Sequence, residues 1–150
     1  MMKKIFTILL LVVIVLISGC ANRFYLDQEF YKTDGEFVNI TSEDFDNLVY
    51  QNYVLFVYNN YCALSVPCDE IFKQYMEENN INFLSMSYEE FKSTKLHKTV
   101  DFAPSVIVVR NWKIIDYLDS EKDEYLDMYQ DVEKFWEWFE KYVYVDYQVE

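Results

Sequence analysis

The stretch YVLFVYNNYCALSVPC, residues 53–68, joins a continuous apolar run to two cysteines and a proline. Six apolar residues in a row are typical of a strand that is buried on both faces of a sheet. Pro67 suits the first turn of a helix, where its missing N–H costs nothing. Apolar residues then recur at helical spacing, at Ile71, Phe72, Tyr75 and Met76. The stretch therefore predicts a buried strand, a loop that carries Cys62, and a helix that begins near Cys68.

Strands and helices are predicted to alternate on both sides of this stretch. Upstream, residues 36–40 alternate like a short strand, and Thr41 with Asp44 forms a capping box at the start of a helix. Downstream we expect a strand at 81–86, a helix within 88–98, two strands at 105–109 and 113–118, and an amphipathic helix at 128–142. The apolar side of that last helix comprises Val132, Phe135, Trp136, Phe139 and Val143. The order β-α-β-α-β-α-β-β-α predicts a central mixed sheet with helices on both faces.

The start of the chain has the pattern of an export signal. Lys3 and Lys4 precede an apolar run at residues 5–17, and Ile-Ser-Gly-Cys20 follows. This run is shorter than the roughly 20 residues of a membrane span. The last four residues resemble the lipobox of bacterial lipoproteins, in which the cysteine becomes the lipid-bearing first residue. We therefore predict a signal peptide at 1–19, lipidation of Cys20, and anchoring on the extracytoplasmic face of the cell membrane.

Two other interpretations of this leader stay open. It is also compatible with an ordinary signal peptide that merely has Cys20 nearby, or with an uncleaved single-span anchor.

Since Lys3 and Lys4 belong to the leader and all 26 acidic residues follow it, the formal net charge falls from −13 for the whole chain to −15 for the remainder. That charge argues against binding to nucleic acid and to anionic lipid headgroups.

With Cys20 used by lipid, Cys62 and Cys68 remain as an even pair of thiols. Export places them in a compartment that permits disulfides, so we predict a bridge between them. A loop of this size can bring the two Cα atoms within about 7 Å. The bridge would contribute only about 2 kcal/mol on chain-entropy grounds. A purely structural disulfide would therefore stabilise the fold only modestly, and this small contribution is compatible with a redox role.

From about residue 36 to residue 142 the chain resembles a thioredoxin-fold domain. YVLFVYNNYC is similar to the strand that leads to the active-site cysteine, SVPC to the Cys-x-Pro-Cys helix start, and DFAPSVIVV (101–109) to the segment that carries the cis-proline. Within the superfamily it resembles short Gram-positive proteins of the bacteriocin transport accessory type. The resemblance implies a three-layer α/β/α domain at 36–143, with a lipid-attached tether at 20–35 and a C-terminal tail at 144–150.

The resemblance also implies a site and a function. Pro104 matches the cis-proline, so its loop should face the cysteines, with the Ala103 backbone available to pair with an extended peptide. The implied activity is thiol–disulfide exchange on exported proteins or peptides through Cys62 and Cys68, without a cofactor. The alternative is a non-catalytic peptide- or protein-binding module in which the Cys62–Cys68 disulfide is structural.

The chain departs from the family pattern around this site. Five residues separate Cys62 from Cys68, where the family has two, and Phe56 stands where many thioredoxins have a buried aspartate. No lysine matches the usual companion of that aspartate near Leu84. A helix N-terminus stabilises a thiolate, but the two acidic residues that follow Cys68 oppose this effect. We therefore predict a disulfide at rest and exchange chemistry that is slow or oxidising.

His97 is the single histidine of the chain, seven residues before Pro104. It could lie near the cysteine loop, and two cysteines with a histidine on this fold are similar to the copper chaperones of the Sco type. The cysteine spacing and the placement of the histidine differ from theirs, and a histidine in a Lys-Leu-His-Lys stretch is more often exposed. We therefore predict no metal site.

Overall fold

The computed structural model describes residues 23–59 and 67–147. Five strands form one sheet in the order β1-β3-β2-β4-β5. The strands are β1 (Phe37–Asn39), β2 (Tyr53–Tyr58), β3 (Phe83–Ser87), β4 (Ser105–Arg110) and β5 (Lys113–Asp119). The α-helices are α1 (Ser42–Asp46), α2 (Cys68–Asn79), α3 (Tyr88–Phe91) and α4 (Val132–Phe139), and 3₁₀ turns span Gln28–Phe30, Lys95–Lys98 and Asp123–Tyr129.

The sheet is mixed, as predicted. β1 and β2 both run parallel to β3, whereas β4 is antiparallel to β2 and β5 to β4. Parallel neighbours need a crossover, and α1 and α2 supply the two crossovers. The first five residues of β2 are buried, which agrees with a central strand covered on both faces. The predicted capping box is present, because the Thr41 side chain accepts from the Asp44 N–H and the Asp44 carboxylate accepts from the Thr41 N–H.

Helices cover both faces of this sheet. On one face α2 packs against α4 through aromatic rings, with Phe72 and Phe135 at 4.8 Å and Tyr75 and Phe139 at 5.2 Å between centroids. On the other face α1 is joined to α3, where Glu90 accepts hydrogen bonds from the Ser42 N–H at 2.8 Å and the Ser42 hydroxyl at 2.6 Å. The architecture is therefore the three-layer α/β/α arrangement expected from the sequence.

The last helix differs from its prediction. It starts at Val132 and not at residue 128, because the Asp131 side chain accepts hydrogen bonds from the N–H groups of residues 133 and 134 and so caps the helix there. Residues 123–129 form a 3₁₀ turn instead. Trp138 is buried, at 2% exposure, and Trp136, which was expected on the apolar side, is 38% exposed.

The described part of the predicted tether is packed against the domain. Phe24 forms a parallel bridge with Val143, and Tyr31 an antiparallel bridge with Ile81. Both aromatic side chains are buried. Within the described residues, no helix has the length and apolar character needed to cross a membrane.

Gly35 ends this segment at a close contact with α2. Its φ is +75°, in the region that favours glycine. A Cβ built on it would lie 2.4 Å from the backbone nitrogen of Glu77. A side chain therefore has no room between this segment and the helix.

Candidate functional site

A cleft of about 330 Å³ opens where β2 ends and α2 begins. Strand ends, the first turn of α2 and the loop before β4 contribute its walls. The lining residues are Phe37, Asn39, Phe56, Tyr58, Asn59, Cys68, Asp69, Ser85 and Pro104. The cleft thus brings Cys68 and Pro104, two of the residues that the sequence singled out, into one site.

Cys68 is the first residue of α2 and is only 2% exposed. Pro67 precedes the helix as its N-cap and does not occupy the first turn, which corrects the prediction by one position. The 12-residue helix directs its free N–H groups towards this end, and they favour a thiolate at Cys68. Asp69 and Glu70 place two carboxylates in the same turn and oppose that charge. The sulfur therefore lies between two opposing electrostatic effects.

The wall formed by β2 and β3 presents an aromatic ring beside a neutral polar pair. Phe56 is 3% exposed and stacks on Phe37 with 5.1 Å between ring centroids. The residue of β3 paired with Phe56 is Ser85, so the position expected near Leu84 lies one residue later. The Ser85 hydroxyl donates to the Asn39 side-chain oxygen at 2.6 Å. This part of the wall offers a ring, a hydroxyl and an amide where a carboxylate and an ammonium were the family pattern.

The loop before β4 forms the opposite rim of the cleft. The Ala103–Pro104 peptide bond is cis, as the resemblance implies. The Ala103 carbonyl accepts a hydrogen bond from the Asn59 side chain at 2.6 Å, so one of its two lone pairs is already used. Tyr129 places its hydroxyl 3.0 Å from the Pro104 carbonyl oxygen and 2.9 Å from that of Leu118. These contacts hold Pro104 in place between β2 and β5.

The remaining predicted site residues lie elsewhere. Cys20 and Cys62 fall outside the described residues, and so does the predicted bridge between Cys62 and Cys68. His97 does not line the cleft, and its ring contacts Tyr88 and Phe91, each at 5.8 Å between centroids. Across residues 23–59 and 67–147, no three histidine, cysteine, aspartate or glutamate side chains are grouped as metal ligands would be.

Several lining residues were not predicted from the sequence. Asn39, Tyr58 and Asn59 lie at strand ends, and the ends of parallel strands meet at one edge of a sheet. That signal was present in the sequence. Ser85 needed the pairing register between β2 and β3, which no local pattern supplies.

Comparison with known proteins gives structural likeness only. No family model matches the chain, and no curated protein matches its sequence. Among solved structures it is similar to thioredoxin f from spinach chloroplast, at 19% identity, with 74% of this chain and 98% of that chain covered and a TM-score of 0.47. Thioredoxin from Aeropyrum pernix has 22% identity, 72% and 91% coverage and a TM-score of 0.44. Thioredoxin from Schistosoma mansoni has 16% identity, with 69% of this chain and 98% of that chain covered and a TM-score of 0.46.

The topology of the chain itself carries the assignment of its fold. The sheet, ordered β1-β3-β2-β4-β5, combines parallel pairs with the antiparallel pair β4–β5, and it is the mixed sheet that the resemblance implies. Helices lie on both of its faces, and a cysteine starts the helix after the central strand. The chain therefore has a thioredoxin-like α/β fold.

Proposed function

We propose that this chain carries out thiol–disulfide exchange on exported proteins while lipid on Cys20 holds it at the extracytoplasmic face of the membrane. The observation that carries the proposal is the position of Cys68, at the first residue of a 12-residue helix and in the same cleft as Pro104. Helix N-termini favour the thiolate, which is the reactive form in exchange. Because Cys68 is buried, we assign it the resolving role and Cys62 the first contact with substrate.

In the oxidising direction the resting state is the Cys62–Cys68 disulfide. A substrate thiolate attacks the Cys62 sulfur, a mixed disulfide forms, and Cys68 leaves as a thiolate. A second substrate thiolate attacks the substrate sulfur of the mixed disulfide and releases Cys62. The substrate loses two electrons and gains a disulfide, and the protein pair gains both electrons. A disulfide oxidant of the compartment then restores the pair.

The residues of the cleft predict a slow rate of exchange. Phe56 and Ser85 supply neither a carboxylate nor an amine that could accept a proton near Cys68. Asp69 and Glu70 oppose the thiolate that must leave when the disulfide is attacked. Exchange therefore proceeds without the carboxylate and amine of the family pattern at these two positions.

The reduction potential tests this proposal. Thiol trapping of the purified chain across a glutathione series should give a midpoint above about −230 mV, similar to oxidising catalysts. A midpoint below about −300 mV is typical of a structural disulfide and would contradict the proposed redox function. Free thiols in protein taken directly from the cell envelope would also contradict the predicted resting state.

A charge variant tests the local electrostatics. Asp69→Asn should speed exchange about two- to fivefold, because one charge near a helix terminus changes energies by about 0.3–1 kcal/mol. Glu78→Gln removes the same charge at the other end of α2 and is the matched control. Equal exchange rates for both variants would show that charge at the N-terminus of α2 does not affect the thiol of Cys68.

The second candidate is a non-catalytic binding module. It is favoured by the aromatic wall of the cleft, where Phe37 and Phe56 stack, and by Phe102, which is 47% exposed next to the Pro104 loop. In that case Cys62→Ser/Cys68→Ser protein would still capture unfolded polypeptide as well as the wild type. Loss of capture together with loss of exchange in this variant would contradict the binding module.

Anchoring has its own experiment. Metabolic labelling with a fatty-acid analogue should mark the wild-type chain and not Cys20→Ala. Equal labelling of the two chains would contradict lipidation at Cys20 and leave the exchange chemistry untouched.

A further inference from the structure

The described chain starts at the end of the molecule opposite the cleft. The Phe24 N–H donates to the Tyr142 carbonyl at 2.8 Å, and the Tyr144 N–H donates to the Phe24 carbonyl at 3.0 Å. The Asp27 N–H donates to the carbonyl of Asn52, the residue before β2. The cleft lies at the other end of that strand, at Tyr58.

The turn between β4 and β5 lies at the same end. The Trp112 N–H donates to the Gln51 carbonyl at 3.3 Å, and the Asn111 N–H to the Asn52 side chain at 3.0 Å. We call this end the base, defined by Arg23, Phe24, Tyr25, Gln51, Asn52, Arg110, Asn111, Trp112 and Tyr144. The base and the cleft are separated by the length of β2, which is about 20 Å at about 3.3 Å per residue.

The base exposes large aromatic side chains. Trp112 is 40% exposed, Tyr25 is 38% and Tyr144 is 37%. Tyr25 stacks on Tyr144 with 4.9 Å between ring centroids, so the two rings form one surface. Tryptophan and tyrosine are the residues that accumulate where a membrane meets water, because each has an apolar body and a polar tip.

Cations accompany these rings. The Arg23 guanidinium lies 4.5 Å from the centre of the Tyr144 ring, and Lys95 lies 5.6 Å from that of Trp112. Arg110 lies 5.3 Å from the centre of the Phe24 ring. Arg23 and Arg110 are the two arginines of the whole chain, and both belong to the base. Arginine and lysine beside aromatic rings are typical anchors at the headgroup level.

The length of chain beyond Arg23 places this surface close to the proposed lipid. Cys20 precedes Arg23 by three residues, and three residues span at most about 11 Å even when fully extended. A lipid on Cys20 therefore brings the base within reach of the headgroups. The formal charge of −15 after the leader opposes contact of the rest of the body with an anionic surface, which favours an orientation with the base towards the membrane.

We propose that the base rests on the lipid headgroups and that the cleft faces away from the membrane, about 20 Å above the contact. This inference rests on the lipid anchor of the proposed function. This orientation restricts the substrates, because a cysteine of an exported protein must lie about 20 Å from the bilayer surface to reach the cleft. Cysteines buried at the membrane surface cannot reach the cleft.

Quenching of tryptophan fluorescence by brominated lipids tests the orientation. The full lipidated chain is inserted into phosphatidylcholine vesicles with or without bromine on the acyl chains close to the headgroup. Trp112 should be quenched, and Trp112→Tyr should lose most of that quenching. Trp138→Phe is the matched control, because the Trp138 indole is buried at 2% exposure and donates to Asp116, so its removal should leave the quenching unchanged.

A second variant moves the reporter to the cleft. In Trp112→Tyr/Phe102→Trp protein the new indole replaces a side chain that is 47% exposed beside Pro104, and it should not be quenched. Quenching of this indole as strong as that of Trp112, or no quenching of Trp112 in protein that floats with the vesicles, would overturn the inference. Protein that does not float would overturn the anchor and the inference together. Exchange activity enters none of these measurements, so its absence would count against the redox proposal alone.

Discussion

Replacement of Phe56 by alanine tests the central strand and the wall of the cleft at once. Phe56 is 3% exposed, stacks on Phe37, and contacts the rings of Phe72 and Tyr58 with centroid distances of 5.2 and 6.2 Å. A buried phenylalanine truncated to alanine costs about 3–5 kcal/mol, and each aromatic pair contributes about 0.5–1.5 kcal/mol beyond its area. Because one side of Phe56 borders the open cleft, water can enter the space that is left. We therefore expect a loss at the lower end, about 3 kcal/mol.

Phe72→Ala is the matched control. Phe72 is fully buried, packs among Phe56, Tyr129 and Phe135, and does not itself line the cleft. Its truncation should leave a dry cavity and cost about 4–5 kcal/mol. Guanidinium unfolding of both variants, analysed where the m-values agree with the wild type, measures the difference. A cost under about 1 kcal/mol for Phe56→Ala, or a cost equal to that of Phe72→Ala, would refute this description of the wall.

Three further substitutions test particular polar side chains. Among the described residues the Tyr75 hydroxyl is buried without a hydrogen-bond partner, so Tyr75→Phe should raise the free energy of unfolding by about 1 kcal/mol, and a loss of stability would contradict this. Tyr129→Phe removes a hydroxyl shared by two carbonyls and should lower it by about 1–3 kcal/mol in the same titration. Hydrogen bonds from the side chain and backbone of Ser42 hold the pKa of Glu90 below the ordinary value of 4.5, so this stabilisation is present above about pH 4.5 and is lost as the pH falls through the lower folded value. Glu90→Gln should therefore show a weaker loss of stability on acidification than the wild type, and identical acid unfolding curves would contradict the role of this pair.

Local signals in the sequence were sufficient for most of the fold. The apolar run at Tyr53–Tyr58 and the capping box at Thr41 each depend on neighbouring residues alone, and both predictions agree with the structure. The predicted start of the last helix was wrong because residues 123–131 also carry apolar side chains at helical spacing. Only the cap at Asp131 shows where the helix starts. Trp136, expected on the apolar side, is exposed, and Trp138 is buried.

The cleft could be predicted only in part. The resemblance placed Cys68 and Pro104 together, and both line the cleft. Leu84 was one residue away from the position that pairs with Phe56. In a strand a shift of one residue turns a side chain to the other face, so Ser85 became visible only through the register of β3. His97 lies in a short 3₁₀ turn whose place depends on tertiary packing, so the sequence left open whether it lies near the cysteine loop.

Gly35 has a consequence for how this sequence can vary. It is the only glycine after the leader, and the space that a Cβ would need is filled by the backbone of Glu77, which cannot rotate aside as a side chain would. Every codon reached from a glycine codon by one nucleotide change encodes either glycine, a stop or a residue with a Cβ. Every single-nucleotide change that replaces this glycine therefore introduces a Cβ that has no room, whichever residue results, or ends the chain. A chain with another residue here needs a wider gap between this segment and the second helix.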